Sequence, residues 1–511
     1  MNQPATAPQG IRKVIVASSV GTMIEWYDFY IFGMLAKTIS TQFFPEGNAT
    51  AALLSTLAIF AAGFIVRPFG ALVFGRLGDL IGRKYTFLLT LVLMGGSTFL
   101  IGLVPSYKAI GIAAPLIVLL LRLVQGLALG GEYGGAATYV AEHAPAAKRG
   151  FYTSWVQTTA TLGLFIALGV IMLVKLNMTD EQFNAHWGGW RYPFWMSIVL
   201  VAISVYIRLK MKESPLFSKL KTEGKTSVNP LKESFNRRAN FKMVLLALFG
   251  AVMGQGVVWY TGQFYAQNFL ETKCFIEFEQ SRTIILWAIV FATPFFIFWG
   301  WLSDKIGRKW IMMAGMLLGI LTYRPIFNTF LEDTDTTKWE LNGAFQEHTT
   351  IKSEAIKRSA DSLRTTATVF SYWNGTKYTI TTTDTVLVKT GKILNTNKVL
   401  FSNKHLPKFI YWKFVGLVFL LILYVTMVYG PIAAFLVEMF PTRIRYTSMS
   451  LPYHIGNGVF GGSVPFIGLL LTTTYPKDPL VGLWYPIGVA CLCFIIGTIY
   501  LTNKIDKEVN D

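Results

Sequence analysis

Charged side chains inside long apolar stretches are the residues of this sequence that could do chemistry. Glu25 and Asp28 lie near the middle of the first such stretch, and Arg67, Arg122 and Glu132 lie within the second and the fourth. Placing an ionised side chain in apolar surroundings is costly, so residues of this kind mark pathways for ions or polar substrates. Their positions point to binding and movement of small polar molecules rather than to covalent catalysis.

Two neighbouring carboxylates and one arginine define the first hypothesis. Glu25 and Asp28 are three residues apart, so an α-helix places them on one face. Because two close carboxylates cannot both ionise cheaply in a low dielectric, we predict that at least one holds a proton at neutral pH. A structural ion pair with an arginine is the alternative. Arg67 offers a planar fork suited to a substrate carboxylate, or a permanent partner for one of the buried acids.

Polar side chains also mark an apolar stretch in the second half of the chain. Gln255, Tyr260, Gln263 and Gln267 lie along the seventh stretch. Tyr260, Gln263 and Gln267 are three and four residues apart, so a regular helix presents them on one face. We predict that this face borders a cavity and that Gln255, Tyr260 and Gln263 contact the substrate.

Two further stretches contribute weaker candidates. Tyr453 and Asn457 lie four residues apart in the eleventh stretch and are predicted to contact substrate. His454 between them could titrate near neutrality, but a hydrogen-bonding role is the simpler interpretation. Gln157 in the fifth stretch is a further candidate for substrate binding.

A ten-residue pattern, Gly-x-Leu-x-Asp-x-x-Gly-Arg-Lys, occurs at 75–84 and again at 300–309. A looser pair starts at Glu142 and at Glu438. The first pair is 225 residues apart and the second 296, so the second half holds 71 additional residues between its motifs. An internal repeat in an apolar chain predicts two similar half-bundles, the architecture of a secondary transporter.

The elements that must position these residues are membrane helices. The chain has 511 residues, 53% hydrophobic and only 14% charged, a composition typical of polytopic membrane proteins. Spans of roughly 20 apolar residues recur twelve times, which predicts an all-α fold. They lie near 12–43, 51–75, 84–104, 110–141, 151–175, 191–210, 243–270, 282–302, 310–331, 409–440, 447–473 and 480–502.

The net charge of +18 follows membrane orientation and not nucleic-acid binding. Ten Lys and Arg residues against three acidic residues lie in 208–242, and the turns at 83–84, 148–149, 308–309 and 443–445 are basic too. These segments share one side of the membrane if the spans alternate, so both termini are predicted to be cytoplasmic. The sequence contains no phosphate loop, metal-ligand cluster or nucleophile triad, so we expect neither an enzyme nor a bound cofactor.

The predicted organisation has five parts. They are a first six-helix half (1–211), a basic cytoplasmic linker (212–242), helices seven to nine (243–331), a polar insertion (332–408), and helices ten to twelve with a short cytoplasmic tail (409–511). Within the insertion, 336–365 is predicted to be helical and 366–401 to form strands. Asn374-Gly375 between apolar runs predicts a hairpin. Counting spans places this small β-rich domain outside the cytoplasm.

Several motifs resemble those of a known family. They are Glu25-Trp-Tyr-Asp28-Phe-Tyr30, Gly63-Phe-Ile-Val-Arg67-Pro68-Phe-Gly70, Arg122-Leu-Val-Gln125-Gly126 and Gly130-Gly-Glu132-Tyr-Gly-Gly135. With the two ten-residue repeats, the chain outside the insertion resembles the metabolite:proton symporter family of the major facilitator superfamily. That family includes permeases for α-ketoglutarate, citrate, shikimate and proline or betaine. The insertion is not part of the family core, so the resemblance implies nothing about it.

The resemblance also implies roles for individual residues. The Arg-x-x-Gln-Gly run at Arg122 is similar to a superfamily motif for proton coupling, so Arg122 is expected to tune a nearby carboxylate. Glu132 lies in a glycine-rich seam that lets helices approach closely; it is expected to pair with Arg67 or to contact substrate, and is predicted, with Glu25, Asp28 and Arg122, to take part in proton coupling. Tyr30 ends the first motif and is predicted to contact substrate.

The motif aspartates are expected to form a gate. In the resemblance, each lies at a helix N-terminus, where the dipole favours a negative charge, and pairs across the halves with basic groups. Such a contact would hold the outward-open state. The predicted gating residues are Asp79, Arg83, Glu142, Arg149, Asp304, Arg308, Glu438 and Arg443.

The sequence therefore predicts an inner-membrane carrier that couples proton entry to uptake of a small polar metabolite. An organic acid is the first expectation because Arg67 supplies a buried positive charge. A zwitterionic osmolyte or a sugar or polyol is the alternative substrate, and an uncoupled facilitator the alternative mechanism. A transporter-like nutrient receptor is a third interpretation. We expect the partners to be substrate, proton and lipid bilayer, and the protein to be a monomer.

Overall fold

Apolar helices make up most of the structure, as a mean hydropathy of +0.46 requires. The computed structural model describes residues 11–45, 49–210, 213–224, 226–340, 345–355, 362–372, 375–386 and 393–503. Within these residues, eleven helical segments are long and apolar enough to cross a membrane. The helix Ile11–Met34, continued by Ala36–Phe43, completes the predicted twelve. The all-α polytopic fold expected from the sequence is confirmed.

The first half contains spans 1 to 6, numbered in chain order. They are Ile11–Met34 with Ala36–Phe43, Ala49–Leu80, Arg83–Ile101, Ala113–His143, Arg149–Gln157 with Thr159–Leu176, and Tyr192–Leu209. Short helices Tyr107–Ile110 and Asp180–Asn184 lie in the connections. Two more helices, Pro215–Thr222 and Pro230–Asn236, form the linker to the second half.

The second half contains spans 7 to 12, and two of these include π-helical turns. Span 7 consists of Arg238–Ala247, a π turn Leu248–Val252, Met253–Tyr260, a π turn Thr261–Tyr265, and Ala266–Thr272. Spans 8 and 9 are Phe278–Ile306 and Lys309–Asp333. Span 10 is Lys408–Tyr429 with Ile432–Met439. Span 11 is Arg445–His454, a π turn Ile455–Gly461, and Val464–Thr474, and span 12 is Trp484–Tyr500.

Each ten-residue repeat forms the tight turn between two spans of its half. The second glycine of the repeat has a left-handed backbone, with φ of 122° at Gly82 and 96° at Gly307, which a residue with a β-carbon adopts only under strain. The final lysine then fastens the turn to its own half. Lys84 Nζ donates to the Leu209 carbonyl at 3.0 Å, and Lys309 Nζ donates to the Leu501 carbonyl at 2.8 Å.

The insertion between spans 9 and 10 contains a four-stranded antiparallel sheet in the order β1-β2-β3-β4. The strands are β1 (Phe345–Ala355), β2 (Ser362–Tyr372), β3 (Lys377–Val386) and β4 (Ile393–His405). The predicted hairpin joins β2 to β3 and turns at Gly375, whose φ is 90°; Asn374 lies outside the described residues.

The helix predicted over 336–365 is wrong. Among its described residues, Thr336–Glu340 is helical, whereas Phe345–Ala355 forms strand β1 and Ser362 begins strand β2. The mixed charges suggested a solvated helix, but β-branched Thr349, Thr350 and Ile351 favour a strand. Strand β1, which contains these residues, pairs with β2 along its whole length. The partner strand supplies the hydrogen bonds of the sheet, and a pattern within one segment cannot reveal it.

Spans 2 and 4 cross through a seam of glycines. A β-carbon at Gly130 would collide with the backbone of Arg67 and Ala71, and one at Gly126 would collide with the backbone of Gly63. Because backbone atoms cannot move aside as a flexible side chain can, the seam fixes the separation of the two spans. The seam thereby sets the positions of Arg67 and Glu132.

We expect Gly130→Ala to lower the thermal stability of the purified protein, by about 1–3 kcal/mol, because the added methyl overpacks the seam. Thermal unfolding in detergent, followed by tryptophan fluorescence, measures the effect. Gly169→Ala is the matched control, since a β-carbon there meets nothing within 4 Å. Equal melting temperatures for the two variants would contradict the seam.

Candidate binding cavity and gate

The two motif aspartates each bind the start of a helix in the other half. Asp79 accepts hydrogen bonds from Thr447 N at 2.9 Å and from Thr447 Oγ1 at 2.7 Å, in the first turn of span 11. Asp304 accepts from Gly150 N and Phe151 N, both at 2.8 Å, in the first turn of span 5. A carboxylate at a helix N-terminus satisfies free N–H groups and is favoured by the helix dipole. The two halves therefore cap each other reciprocally at the end of the bundle that carries both repeats, hereafter the motif end.

Buried ion pairs reinforce this contact. Glu438 at the end of span 10 accepts from Arg308 at 2.8 and 3.1 Å and from Arg149 of the other half at 3.2 Å. Glu142 at the end of span 4 pairs with Arg445 of the other half at 3.0 Å. Both clusters are almost fully buried, so each carboxylate is compensated where its ionisation would otherwise be costly.

The partner of Glu142 corrects the sequence prediction. Arg443, predicted as a gating residue, is 37% exposed and pairs with Glu233 of the linker at 3.4 Å, whereas Arg445 is buried and bridges the halves. The signal was present: Arg149 and Arg445 each lie seven residues after their glutamate, Glu142 and Glu438. The Arg83 side chain lies outside the described residues.

A small cavity lies between the halves, about midway along the spans. Its lining residues are Thr22, Glu25, Trp26, Arg67, Tyr133, Trp259, Tyr260, Tyr429, Tyr453, His454 and Asn457. Its volume is about 20 Å³, enough for a water molecule and far below the roughly 300 Å³ of a small-molecule pocket. The structure is therefore closed around this cavity, and a metabolite can enter only when the halves separate.

Two oppositely charged side chains line the cavity without pairing. Among the described residues, Glu25 and Arg67 have no hydrogen-bond partner, and no ion pair joins them. The Arg67 guanidinium lies over the rings of Phe64 at 4.3 Å and Phe29 at 5.6 Å. Trp259 Nε1 and His454 Nε2 also lack partners. These unmatched donors and acceptors, all bordering one cavity, are what a polar ligand could satisfy.

Asp28 does not line the cavity. It accepts a hydrogen bond from Ser197 of span 6 at 2.6 Å. Arg122 is hydrogen-bonded to Gln125 and lies over the Phe32 ring at 4.6 Å. The predicted pair of neighbouring carboxylates is therefore divided, with Glu25 at the cavity and Asp28 inside the first half.

Glu132 pairs with Arg208, not with Arg67. The two side chains are 2.5 Å apart and each is 1% exposed, and Thr90 donates to the second Glu132 oxygen at 2.9 Å. Arg208 is the first of the ten basic residues in 208–242, but its side chain is buried near the end of span 6. The charge of Glu132 is thus balanced by Arg208 within the first half, and Glu132 does not line the cavity.

The predicted binding residues of the second half divide into two groups. Tyr260, Tyr453 and Asn457 line the cavity, and Gln255 exchanges two 3.0 Å hydrogen bonds with Asn457. Gln263 is absent from the lining. The predicted common face of Tyr260, Gln263 and Gln267 fails because the π turn Thr261–Tyr265 adds a residue to the helical turn and shifts every later side chain.

Two predicted binding residues of the first half lie behind the lining. Gln157 donates to the Tyr133 hydroxyl at 2.7 Å, and so orients a residue that does line the cavity. Tyr30 stacks on Phe264 of span 7 with ring centres 6.3 Å apart. Both residues therefore position other groups in this closed state.

Aromatic rings close the cavity between the halves. Tyr133 stacks on Tyr453 with ring centres 3.6 Å apart, and Trp26 lies 5.2 Å from Trp259. Tyr453 was among the predicted binding residues, but Trp26, Tyr133, Trp259 and Tyr429 were missed because aromatic side chains in apolar spans resemble ordinary core. Trp26 and Tyr133 do lie within the quoted family motifs, which was the available signal; Tyr429 had none.

Known proteins resemble this chain over most of its length. A family model described as "Sugar (and other) transporter" matches residues 13–227. The chain is 33% identical to the inner membrane metabolite transport protein YhjE of Escherichia coli K12 over 91% of this chain and 88% of that protein. It is 34% identical to the proline/betaine transporter of the same organism over 62% of this chain and 64% of that protein. The structure matches that of the proton:xylose symporter XylE with a TM-score of 0.66 and 15% identity, covering 97% of both chains.

We expect Arg445→Gln to open the motif end and Arg443→Gln to leave it closed. The first change removes the buried cation that contacts Glu142 across the halves at 3.0 Å, which costs about 2–5 kcal/mol in the closed state, or roughly a 30-fold or larger shift towards the open state. Arg443 is matched in charge and size but partly exposed. Spin labels at Ala147 and Ile306, exposed on opposite halves, report the separation. Identical distance distributions in the two variants would refute the assignment.

Proposed function

We propose that this chain, which belongs to the metabolite transporters of the major facilitator superfamily, is a multi-pass inner-membrane symporter that couples proton entry to uptake of a small carboxylate. The observation that carries the proposal is the pair of unpartnered charges, Glu25 and Arg67, bordering one closed cavity. The superfamily and the transport of metabolites follow from the relatives; the substrate and the coupling are our inference.

Arg67 is the proposed substrate clamp. Its guanidinium has no acidic partner among the described residues and stacks on Phe64, which holds its plane in position. Arginine stays charged at any physiological pH, and Arg67 is only partly exposed, with its Nε buried and unpartnered. A substrate carboxylate can bind this guanidinium through a bidentate contact. An organic acid is therefore our first candidate substrate.

Glu25 is the proposed proton carrier. An ionised carboxylate without a partner is costly in a closed, nearly dry cavity, whereas its protonated form is neutral. Loading the site with both a proton on Glu25 and a carboxylate on Arg67 therefore removes two uncompensated charges at once. Binding of the proton and the carboxylate together therefore favours the closed state, through which transport must pass, more than binding of either alone, and this difference couples their movements.

A zwitterion is the second candidate substrate, favoured by the aromatic lining. Trp26, Trp259, Tyr260 and Tyr429 surround the space beside Glu25, and a quaternary ammonium is attracted to such ring faces. With Arg67 on the carboxylate, the cavity would match both ends of a betaine. A relative with 34% identity is a proline/betaine transporter, which supports this candidate.

Access to the cavity is proposed to alternate through the gate. The basic residues of the linker and motif turns favour a cytoplasmic motif end and cytoplasmic termini. Asp79 and Asp304 must release the first turns of spans 11 and 5 before this end can open, and water can replace their hydrogen bonds only there. Aromatic contacts between spans 1 and 7, such as Tyr30 with Phe264, would separate when the opposite end opens.

We expect Glu25→Gln to abolish substrate-driven proton entry without abolishing substrate exchange. Proteoliposomes with an internal pH dye would receive shikimate, glycine betaine or xylose, one at a time and without an imposed gradient. Wild-type protein should acidify the interior with one probe, and Glu25→Gln should not, because glutamine cannot carry the proton. Exchange of the same labelled probe should remain.

Glu223→Gln serves as the control, since Glu223 is exposed on the linker surface, away from the cavity, where it pairs with the exposed Lys219. Isotope entry with a silent dye in the wild type would identify a facilitator. Acidification that persists in Glu25→Gln would remove Glu25 from the proton path and direct attention to Asp28.

We expect Arg67→Gln to raise the KM for whichever carboxylate is carried by about 30-fold or more, because the variant loses a charge-assisted bidentate contact. Trp259→Leu separates the candidate substrates: it should weaken glycine betaine strongly and shikimate little. Uptake of xylose unaffected by Arg67→Gln would instead favour a neutral substrate and overturn the clamp. Uptake of each isotope-labelled probe measures the KM of the Arg67→Gln variant and of the Trp259→Leu variant.

A further inference from the structure

The insertion is fastened to the turn between spans 7 and 8. Lys404 at the end of β4 donates its N–H to the Phe275 carbonyl at 2.9 Å, and Glu277 donates its N–H to the Lys404 carbonyl at 2.9 Å. These bonds form a parallel bridge between Ile276 and Lys404. The turn thereby adds itself to the sheet beside β4.

The side chain of the same lysine reaches a third element. Lys404 Nζ donates to the Thr334 carbonyl at 2.6 Å, at the C-terminal end of span 9, where a cation is favoured by the helix dipole. Burial lowers the pKa of the Lys404 ammonium, and the side chain is only 7% exposed. One residue therefore ties the sheet to the ends of spans 7, 8 and 9.

Neighbouring contacts complete this region, which we call the insertion junction. Gln280 in the first turn of span 8 exchanges hydrogen bonds with the backbone of Leu406, accepting at 2.7 Å and donating at 3.1 Å. His405 contacts Glu277 at 2.8 Å, and Trp339 donates to the Asp333 carbonyl at 3.1 Å. The junction thus has polar contacts on both sides of Lys404.

Backbone strain is concentrated in the insertion junction. Among the described non-glycine residues, positive φ angles occur at Phe275 (57°) and Asn403 (51°), and both adjoin the Lys404 bridge. Asparagine tolerates this conformation, but a phenylalanine adopts it only at a cost. Strain of this kind persists where the surroundings hold the residue in place, so the bridge constrains the turn and does not merely touch it.

The constrained turn ends the span that closes the binding cavity. Trp259 and Tyr260 of span 7 line the cavity, and Phe264 packs on Tyr30 and Phe29 of span 1. Two π turns interrupt span 7, and such turns are places where a helix deforms. Separation of Phe264 from span 1 requires movement of the end of span 7, because Phe264 lies only eight residues before Thr272, where that span ends.

We propose that the insertion is an internal brace for span 7, and that Lys404 is a positioning residue that opposes opening of the cavity at the insertion end. By holding the turn after span 7 to the end of span 9, the brace makes the second half move as one body and keeps Phe264 against Tyr30. The proposal concerns the closed state and is independent of the substrate and of proton coupling.

The test compares Lys404→Ala with wild type by amide hydrogen exchange of the full-length protein in lipid nanodiscs. We expect exchange in peptides covering 266–277 to become about tenfold faster or more, because the anchoring hydrogen bond to a charged group is lost. Lys404→Arg should restore slow exchange. Lys408→Ala is the matched control, since Lys408 is exposed at the start of span 10; it should match wild type.

A distance measurement tests opening directly. Spin labels at Lys37 of span 1 and Asn268 of span 7, both exposed, report the separation at the insertion end. Cys491 is partly exposed and could itself react with the spin label, so it is replaced by Ser. Cys274 and Cys493 are buried and can be kept. Lys404→Ala should add a longer-distance population that Lys408→Ala lacks.

Unchanged exchange and unchanged distances in a folded Lys404→Ala protein would overturn the brace. Faster exchange over the sheet and spans together, with a lower melting temperature, would mark Lys404 as generally stabilising and would also overturn it. Neither readout depends on transport, so failure of the brace and failure of the proposed symport remain distinguishable.

Discussion

The reciprocal capping of two helices by two aspartates is the contact on which the closed structure depends. Asp79 and Asp304 each complete a helix of the opposite half, so neither half can satisfy its own motif end alone. The glutamates that end spans 4 and 10 add buried ion pairs across the same interface. Water can take over all of these contacts only at a bundle end. The contacts are therefore strong enough to close the protein and still reversible.

The contrast between the gate and the cavity explains how binding can control closure. Each gate carboxylate has a partner in the opposite half, whereas Glu25 and Arg67 have no hydrogen-bond or ion-pair partner among the described residues. A conformational equilibrium shifts only by the difference in affinity between its states. Because the charges without partners are those of the proposed binding site, ligands that neutralise them would favour the closed state more than the open states. Charges with partners at the gate and charges without partners at the cavity therefore act together on the same conformational equilibrium.

The sequence predicted the fold and much of the gate, because both depend on local patterns. Apolar runs give spans, and the ten-residue repeats place glycines where the turns need positive φ. The cavity was predicted less well for three physical reasons. A π turn displaces Gln263 from the face of Tyr260, and no hydrophobic period announces such a turn. Ion-pair choice is a tertiary matter, so Glu132 with Arg208 could not be distinguished from Glu132 with Arg67. Aromatic rings such as Tyr429 look like core until the second half is in place.

The insertion breaks the pseudo-symmetry of the two halves at the connection between spans 9 and 10, next to the turn that follows span 7. The equivalent connection of the first half, between spans 3 and 4, is the short segment around Tyr107–Ile110. The second half instead carries a sheet whose last strand bridges the turn after span 7 through Lys404. A domain that was merely attached to the surface would not require a strained backbone at Phe275, in the turn that it contacts. The positive φ of Phe275 has an energetic cost that the contacts of the insertion junction must offset. The element that these contacts hold in place is span 7, which contains π turns and lines the cavity. Asymmetry at this point means that the two halves need not be equally rigid, so the insertion end and the motif end can be held closed by different physical means.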